Sequence, residues 1–243
     1  MSGVIRKCGE SRSRVFATIW QASIRFRMEA ATGRETGMVE ARHHDFHMPI
    51  SEAQVRALKV GDTVTLHGTL FGIRDATQIH MFDHGRKTHF DMKGHAVIHT
   101  APNVKKVPKS NEYPAGYASV CIGTTTSARM ERFSRPLMEQ YGVRLIIGKG
   151  GLGKDSQKAF ADLGGAYLAI IGGTAALETT WVEAIEEVDL EDLNPECLWR
   201  FAVKGFGPLL VAMDSHGGST YDRVMKTAEE RKAAALAAMG VKA

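Results

Sequence analysis

The stretch Gly123–Gly153, GTTTSARMERFSRPLMEQYGVRLIIGKGGLG, joins a hydroxyl-rich turn, an amphipathic helical segment, a short apolar strand and a glycine-rich loop. It places Thr125, Thr126 and Arg129 in the turn and Lys149 in the loop. An arginine can hold a carboxylate through two parallel hydrogen bonds, whereas a lysine acts as a point charge. The hydroxyl groups beside them add donors, acceptors and a candidate proton acceptor. The stretch therefore predicts a site for a small, doubly negative substrate.

Segments on both sides of this stretch alternate between strand-like and helix-like patterns. VRLIIG, AYLAIIGG and PLLVAMD are apolar and branched, which is typical of strands buried on both faces. Ser51 opens a short helix that ends by Gly61, and TVTLHGTLFGIRD is predicted as strands with a bend at Gly68. AALETTWVEAIEEV and the Pro195–Trp199 neighbourhood are predicted as helix and turn. The alternation indicates an α/β fold with its functional residues at strand ends and loops.

Composition divides the chain into three parts. Residues 1–47 are rich in Arg and Ser, and we expect a poorly ordered or targeting-like extension. Glu10, Glu29, Glu35 and Glu40 argue against a presequence, and Met28 or Met38 are alternative starts of the protein. Residues 48–225 are predicted to form the folded domain. Residues 226–243, the end of an alanine- and charge-rich segment that begins at Tyr221, are predicted to form a helical tail.

The bulk properties restrict the class of protein. Of the 243 residues, 44% are hydrophobic and 24% charged, as in ordinary soluble globular proteins. The net charge of +4 comes from scattered basic residues, so no nucleic-acid partner is expected, and no apolar run is long enough for a membrane span. The three cysteines, Cys8, Cys121 and Cys197, show no C-x-x-C spacing and are predicted to be reduced and buried. A reducing compartment is therefore expected, with the cytoplasm as the predicted location and the mitochondrial matrix as the less favoured one.

Four segments resemble one family. Gly123–Met130 resembles the GPTTSxRM signature of the class I (iron–sulfur) fumarase and L(+)-tartrate dehydratase beta subunit family. IIGKGGLG resembles its GKGG loop, LWRFAVKGFGPLLVAMDSHG its closing segment, and GDTVTLHGTLFGIRDA its early GD…RD element. The resemblance runs in order over Pro49–Arg223.

The resemblance implies a swivelling β/β/α domain that belongs to a hydro-lyase with two kinds of subunit or domain. It implies a [4Fe-4S] cluster held by three cysteines of an alpha subunit, and no metal on this chain. The expected substrate is a C4 dicarboxylate, with fumarate–malate interconversion first and L-tartrate dehydration as the alternative. A non-catalytic dicarboxylate-binding module is the other alternative. A hetero-oligomer with the alpha subunit, or a homodimer, is the expected assembly.

The resemblance also assigns roles to single residues. Thr125 falls on the proton-accepting threonine, and Lys149 is the second catalytic candidate. Arg74, Arg129 and Lys149 fall on carboxylate-binding positions, with Thr126 beside them. Two positions depart from the family pattern, because Thr124 replaces a proline and Gln78 replaces the histidine of an RD-x-x-H motif.

Several motifs keep alternative interpretations. GKGGLGKD, which includes Lys154, imitates a phosphate-binding loop, but Asp155 stands where a hydroxyl is required. The hydroxyls of Thr125–Ser127 could cap the following helix. Asp214 and His216 are predicted as a structural turn, Asp75 as an orienting partner of Arg74 or a turn residue, and the crowded histidines as hydrogen-bonded rather than metal-binding.

Overall fold

The structure, a computed structural model, describes residues 41–240. Its strands are β1 (His43–His47), β2 (Thr63–Ile73), β3 (Ala96–His99), β4 (Asn103–Lys106), β5 (Tyr117–Cys121), β6 (Leu145–Gly148), β7 (Ala166–Ala169), β8 (Val182–Asp189) and β9 (Leu198–Met213). Its α-helices are α1 (Glu52–Arg56), α2 (Asp75–Phe82), α3 (Ser134–Tyr141), α4 (Lys154–Leu163), α5 (Ala175–Thr180) and α6 (Thr220–Ala238). Two 3-10 helices span Ala128–Phe133 and Glu191–Leu193. The predicted α/β class is confirmed, and the swivelling β/β/α type stays a prediction.

Seven strands form one sheet in the order β1-β2-β3-β6-β7-β9-β8. Strands β1, β2, β3, β6 and β7 pair in parallel, whereas β9 is antiparallel to β7, β8 and β2. Because β9 pairs with both β7 and β2, the strands β2, β3, β6, β7 and β9 form a closed ring of pairings. The parallel strands β2, β3 and β6 run in one direction, so the loops that follow them leave from the same edge.

The core lies on both faces of this sheet. On β3, Ala96 and Ile98 belong to one buried cluster, which also contains Trp199 and Phe201 of β9. Val97 points the other way, into a second cluster with residues of α3 and α4. Burial of consecutive residues on two faces explains why these strands are continuous apolar runs.

Two local predictions, the helix opened by Ser51 and the bend at Gly68, are confirmed. Ser51 caps α1 with a reciprocal capping box to Gln54. Gly68 lies at a register shift between β2 and β9 with a φ of 94°, which gives the predicted bend. Pro136 falls in the first turn of α3, just after the 3-10 helix, where its missing N–H costs no helical hydrogen bond.

Other predictions need correction. VEAIEEV is the strand β8 rather than helix, because its backbone pairs with β9 and tertiary pairing overrides its helical charge spacing. Residues 198–199, predicted as helix or turn, begin β9. The sheet begins at His43, so the expected boundary at 47/48 falls inside the described fold. The boundary at 225/226 lies within the continuous helix α6.

The targeting-like extension and the alternative starts at Met28 and Met38 fall on residues 1–40, outside the described residues. Across residues 41–240, no helix combines the length and the apolar character needed to cross a bilayer.

Candidate active site

The candidate site forms where three parallel strands end. Arg74 follows β2 directly, His99 is the last residue of β3, and Lys149 follows β6. The hydroxyl-rich turn crosses these ends, since the Thr125 N–H donates to the His99 carbonyl at 2.7 Å and Thr126 forms a parallel bridge with Lys149. Backbone pairing therefore brings the distant predicted site segments to one edge of the sheet.

The carboxylate of Asp75 contacts both Arg74 and Arg129. Its carboxylate accepts hydrogen bonds from Arg129 Nε at 3.2 Å and Nη2 at 3.0 Å. Arg74 Nε lies 3.4 Å from the same carboxylate and 3.4 Å from Glu196 Oε1. Arg129 Nη2 also lies 3.4 Å from Thr125 Oγ1. Asp75, predicted as a partner of Arg74, thus pairs more closely with Arg129.

The ion pair between Asp75 and Arg129 favours the charged form of both side chains. Burial alone would raise the pKa of Asp75, but the hydrogen bonds and positive charge of Arg129 outweigh it, so the pKa is lowered. The same bond raises the pKa of Arg129. Both groups are therefore charged at neutral pH. No partner within residues 41–240 occupies Arg129 Nη1, which lies on a half-exposed side chain and can donate to a ligand.

Lys149 presents a cation that its neighbours leave unpaired. Its side chain is partly buried and runs along the Gly172 backbone, where an added Cβ would lie 3.5 Å from Lys149 Cδ. Within residues 41–240, no side chain or carbonyl forms an ion pair or hydrogen bond with its Nζ. An anionic ligand at this edge would meet a charge that is free to bind it.

A row of three hydrogen-bonded, buried side chains holds the hydroxyl-rich turn in place. His99 Nδ1 lies 2.9 Å from Ser127 Oγ, which lies 2.9 Å from the Tyr167 hydroxyl. A Cβ on Gly148 would stand 1.8 Å from Ser127 Oγ, so only glycine allows this approach. The Ser127 hydroxyl is therefore bonded to His99 and Tyr167. It makes no side-chain hydrogen bond at the start of the 3-10 helix, so it does not cap that helix. Sequence reasoning missed His99 and Tyr167, whose one signal was a polar group in an apolar run.

Burial of His99 gives a testable pH dependence. Burial lowers the pKa of His99 from 6.5 to about 3, although the Asp75 charge acts in the opposite direction. Between these values the unfolded chain binds a proton that the folded chain does not, so acid destabilises the fold. We expect this histidine to lower the free energy of unfolding by up to about 1.4 kcal/mol per pH unit below 6.5. Urea titrations from pH 7 to pH 5 should show a shallower loss in His99→Asn, and equal slopes would contradict this origin.

The two departures from the family pattern have different surroundings. Thr124 is buried, and both its N–H and its hydroxyl donate to Glu178 Oε2, at 3.0 and 2.6 Å. Gln78 is buried on α2, and its Nε2 approaches the Arg74 carbonyl only at 3.5 Å. Its Oε1 has no partner within residues 41–240. His80, two residues on, contacts the His84 ring edge-on.

The phosphate-binding interpretation of GKGGLGKD is wrong for this geometry. The N-terminus of α4, where a phosphate would bind, is occupied by the Glu131 carboxylate. That carboxylate accepts hydrogen bonds from the N–H groups of Gly153 at 2.6 Å and Ser156 at 2.9 Å. Lys154 points to Asp222 at 2.6 Å. A second anion at this helix end would meet a resident negative charge.

Asp214 is part of a structural turn, as predicted. It accepts hydrogen bonds from the backbone N–H groups of Val60, His216 and Gly218, at 2.8–2.9 Å. These bonds use both of its oxygens.

Among the described residues, one group of side chains is close enough together to coordinate a metal ion, namely Asp45, His47 and His67. The Gly205 N–H donates to His67 Nδ1 at 3.2 Å, so Nε2 carries the proton and faces Asp45 at 3.0 Å. Such a ring offers no lone pair to a metal. The pair is therefore an imidazole–carboxylate hydrogen bond.

The described cysteines do not fit an iron–sulfur cluster. Cys197 is buried and Cys121 is partly buried on β5, which pairs in the separate two-stranded sheet. Neither belongs to a group of three ligating side chains within residues 41–240, and cubane clusters need several thiolates. The third cysteine, Cys8, lies outside the described residues.

Comparison with known proteins places these features in a family. A family model described as "Fumarase C-terminus" matches residues 17–224. The putative L(+)-tartrate dehydratase subunit beta of Methanocaldococcus jannaschii is 39% identical over 75% of this chain and 93% of that protein. The L(+)-tartrate dehydratase subunit beta of Escherichia coli K12 is 37% identical over 76% of this chain and 89% of that protein.

A putative class I fumarate hydratase of Geobacillus stearothermophilus is 36% identical over 79% of this chain. The match covers only 36% of that longer protein, whereas it covers about nine tenths of the two beta subunits. On the extent of the model match and of these identities, the chain belongs to the fumarase C-terminus family.

Proposed function

We propose that this chain is the beta component of a hydro-lyase that interconverts fumarate and malate. The observation that carries the proposal is the edge cluster, in which Arg129 contacts Thr125 and the Lys149 backbone pairs with the same turn at the ends of parallel strands. Fixed cations of this kind hold a dianion in one orientation and stabilise charge that develops on its carboxylate. The family membership and the names of the relatives support the same class of reaction.

Within this proposal, Lys149 and Arg129 bind the two substrate carboxylates or share one of them, with Arg74 and Thr126 beside them. Thr125 takes the proton from the carbon next to the one that bears the hydroxyl. As that C–H bond breaks, the double bond forms and the hydroxyl departs. A threonine hydroxyl is a weak base, but the Arg129 donor 3.4 Å away stabilises its alkoxide form.

The proposal includes a partner. A [4Fe-4S] cluster on an alpha subunit would activate the departing hydroxyl as a Lewis acid. The described part of this chain offers the cations and the alcohol, which are the groups that the resemblance assigns to it. The relatives named as beta subunits support a hetero-oligomer. Assembly and catalysis are proposed to take place in the cytoplasm.

A second candidate reaction is L-tartrate dehydration. It is favoured by the two relatives named for it, which match this chain over nearly their whole length. Tartrate and malate differ by one hydroxyl, so the same cations would serve both acids.

The test is anaerobic assembly with a cluster-bearing alpha subunit, followed by assays of fumarate hydration and L-tartrate dehydration. We expect the complex to turn over one acid at an enzymatic rate, and the chain alone to be inactive on both. An assembled, cluster-loaded complex that binds a C4 dicarboxylate but converts neither acid would indicate a non-catalytic binding module. Rapid hydration by iron-free chain would reject the division of labour.

A further inference from the structure

Glu178 is a buried carboxylate that contacts the turn carrying the proposed base. It lies on α5 with 1% of its surface exposed. Its Oε2 accepts both donors of Thr124, the residue immediately before Thr125, at 3.0 Å from the backbone N and 2.6 Å from Oγ1. Two bonds from one residue to one oxygen fix the backbone and the side-chain rotamer of Thr124 together.

The other oxygen of this carboxylate contacts the loop that borders Lys149. Glu178 Oε1 accepts a hydrogen bond from Thr174 Oγ1 at 2.8 Å. Thr174 ends the loop after β7, and Gly172 in that loop lies against the Lys149 side chain. Glu178 therefore joins, through hydrogen bonds, the segment before Thr125 and the loop that borders Lys149.

The segment before Thr125 is packed closely against α5. A Cβ on Gly123 would stand 2.9 Å from Ala175 Cβ. The Ile122 N–H donates to Thr179 Oγ1 at 2.8 Å, so a second α5 side chain holds the segment two residues upstream of Thr124. Glu178 differs from Thr179 because it is bonded next to the base and is connected to the Lys149 loop.

We propose that Glu178 is a positioning residue that holds Thr125 and Lys149 in their mutual arrangement, an inference that rests on the proposed function of that site. A proline at position 124 would have neither an N–H nor a hydroxyl, so it would leave the Glu178 carboxylate without these donors. In this chain, hydrogen bonds to Glu178 restrain the turn at the position where the family pattern has a proline. Burying a carboxylate is unfavourable unless its oxygens are hydrogen-bonded, and all three donors come from segments that border the site.

The first test measures position without catalysis. Hydrogen–deuterium exchange should be followed in the full chain for peptides that cover 122–130 and 146–151. In Glu178→Ala we expect both peptides to exchange about tenfold faster, since their amides lose support and open locally. Thr179→Val is the matched control, and it should affect the Ile122 amide while the 146–151 peptide exchanges at the wild-type rate. Equal protection of both peptides in Glu178→Ala and wild type would overturn the proposal.

The second test separates the hydrogen bonds from the charge. The amide oxygen of Glu178→Gln can still accept both Thr124 donors, while its NH2 donates to the Thr174 hydroxyl. In the assembled complex, we expect Glu178→Ala to lower kcat about 100-fold, because displacement of a base by about an ångström costs this much. KM should rise as well, because the loop that borders Lys149 loses its support. Glu178→Gln should recover most of the loss in kcat. An equal loss in both variants, or a loss confined to KM, would reject a positioning role.

A double-mutant cycle with Thr124→Val completes the test. Removing the Thr124 hydroxyl should raise exchange in the wild-type background but have little further effect in Glu178→Ala, because the partner is already lost. Additive effects would overturn the coupling. If the assembled complex is inactive on both acids, the proposed function fails, while the exchange measurements still decide whether Glu178 restrains the site.

Discussion

Replacing Thr125 by valine is expected to lower kcat of the assembled complex about 1,000-fold while KM changes little, since a positioned proton acceptor contributes two to four orders of magnitude. Valine keeps the shape and the β-branch of threonine, and the backbone bond from residue 125 to the His99 carbonyl does not involve the side chain. The fold and the cation cluster should therefore persist. Steady-state kinetics with fumarate or L-tartrate give both constants.

Thr125→Ser is the control, because it restores the hydroxyl and should recover much of kcat. Thr126→Val removes the neighbouring hydroxyl and should act mainly on substrate binding. If Thr125→Val retains more than about a tenth of the wild-type kcat, the residue is not the proton acceptor.

Lys149→Met should lower kcat/KM about 100-fold, mainly through KM, because truncating one partner of a desolvated charge pair costs about 3 kcal/mol. Methionine retains the length of the aliphatic stem that runs past Gly172, so packing is preserved and only the charge is lost. The measurement is steady-state kinetics at constant ionic strength, since salt screens a charge-mediated interaction.

Lys154→Met is the matched control from the same glycine-rich segment. Lys154 is exposed, and it is paired with Asp222 at 2.6 Å rather than directed at the strand ends. We expect the kcat/KM of Lys154→Met to stay within about threefold of wild type, because the loss of an exposed ion pair usually costs little free energy. A larger loss from Lys154→Met than from Lys149→Met would move the anion site to the start of α4.

The parts of this structure that sequence reasoning predicted are those with a local signal. The β6 and β7 segments are recognisable in the sequence as short runs of branched apolar residues, because they are buried on both faces. Arg74 and Lys149 were predicted as site residues by the family resemblance, and the structure places each directly after a parallel strand of one sheet. The roles of these residues remain predictions, whereas their position at the ends of parallel strands is a finding.

The parts that were missed depend on contacts between distant residues. Glu178 is 54 positions from Thr124, and Tyr167 is 40 positions from Ser127. Nothing in the sequence around Glu178 distinguishes it from a solvated helix carboxylate. The strand β8 was missed for a related reason, since its acidic residues are spaced as on a helix and only pairing with β9 makes it a strand.

The most direct measurement of the central claim compares two ligands that differ by one charge. Succinate and its monoamide should be titrated calorimetrically into the assembled complex, with wild-type chain and with Lys149→Met. If Lys149 holds a second carboxylate, wild type should prefer the dianion by about 100-fold, and the variant should lose most of that preference. If wild type and Lys149→Met prefer succinate over the monoamide equally, Lys149 does not bind the second carboxylate.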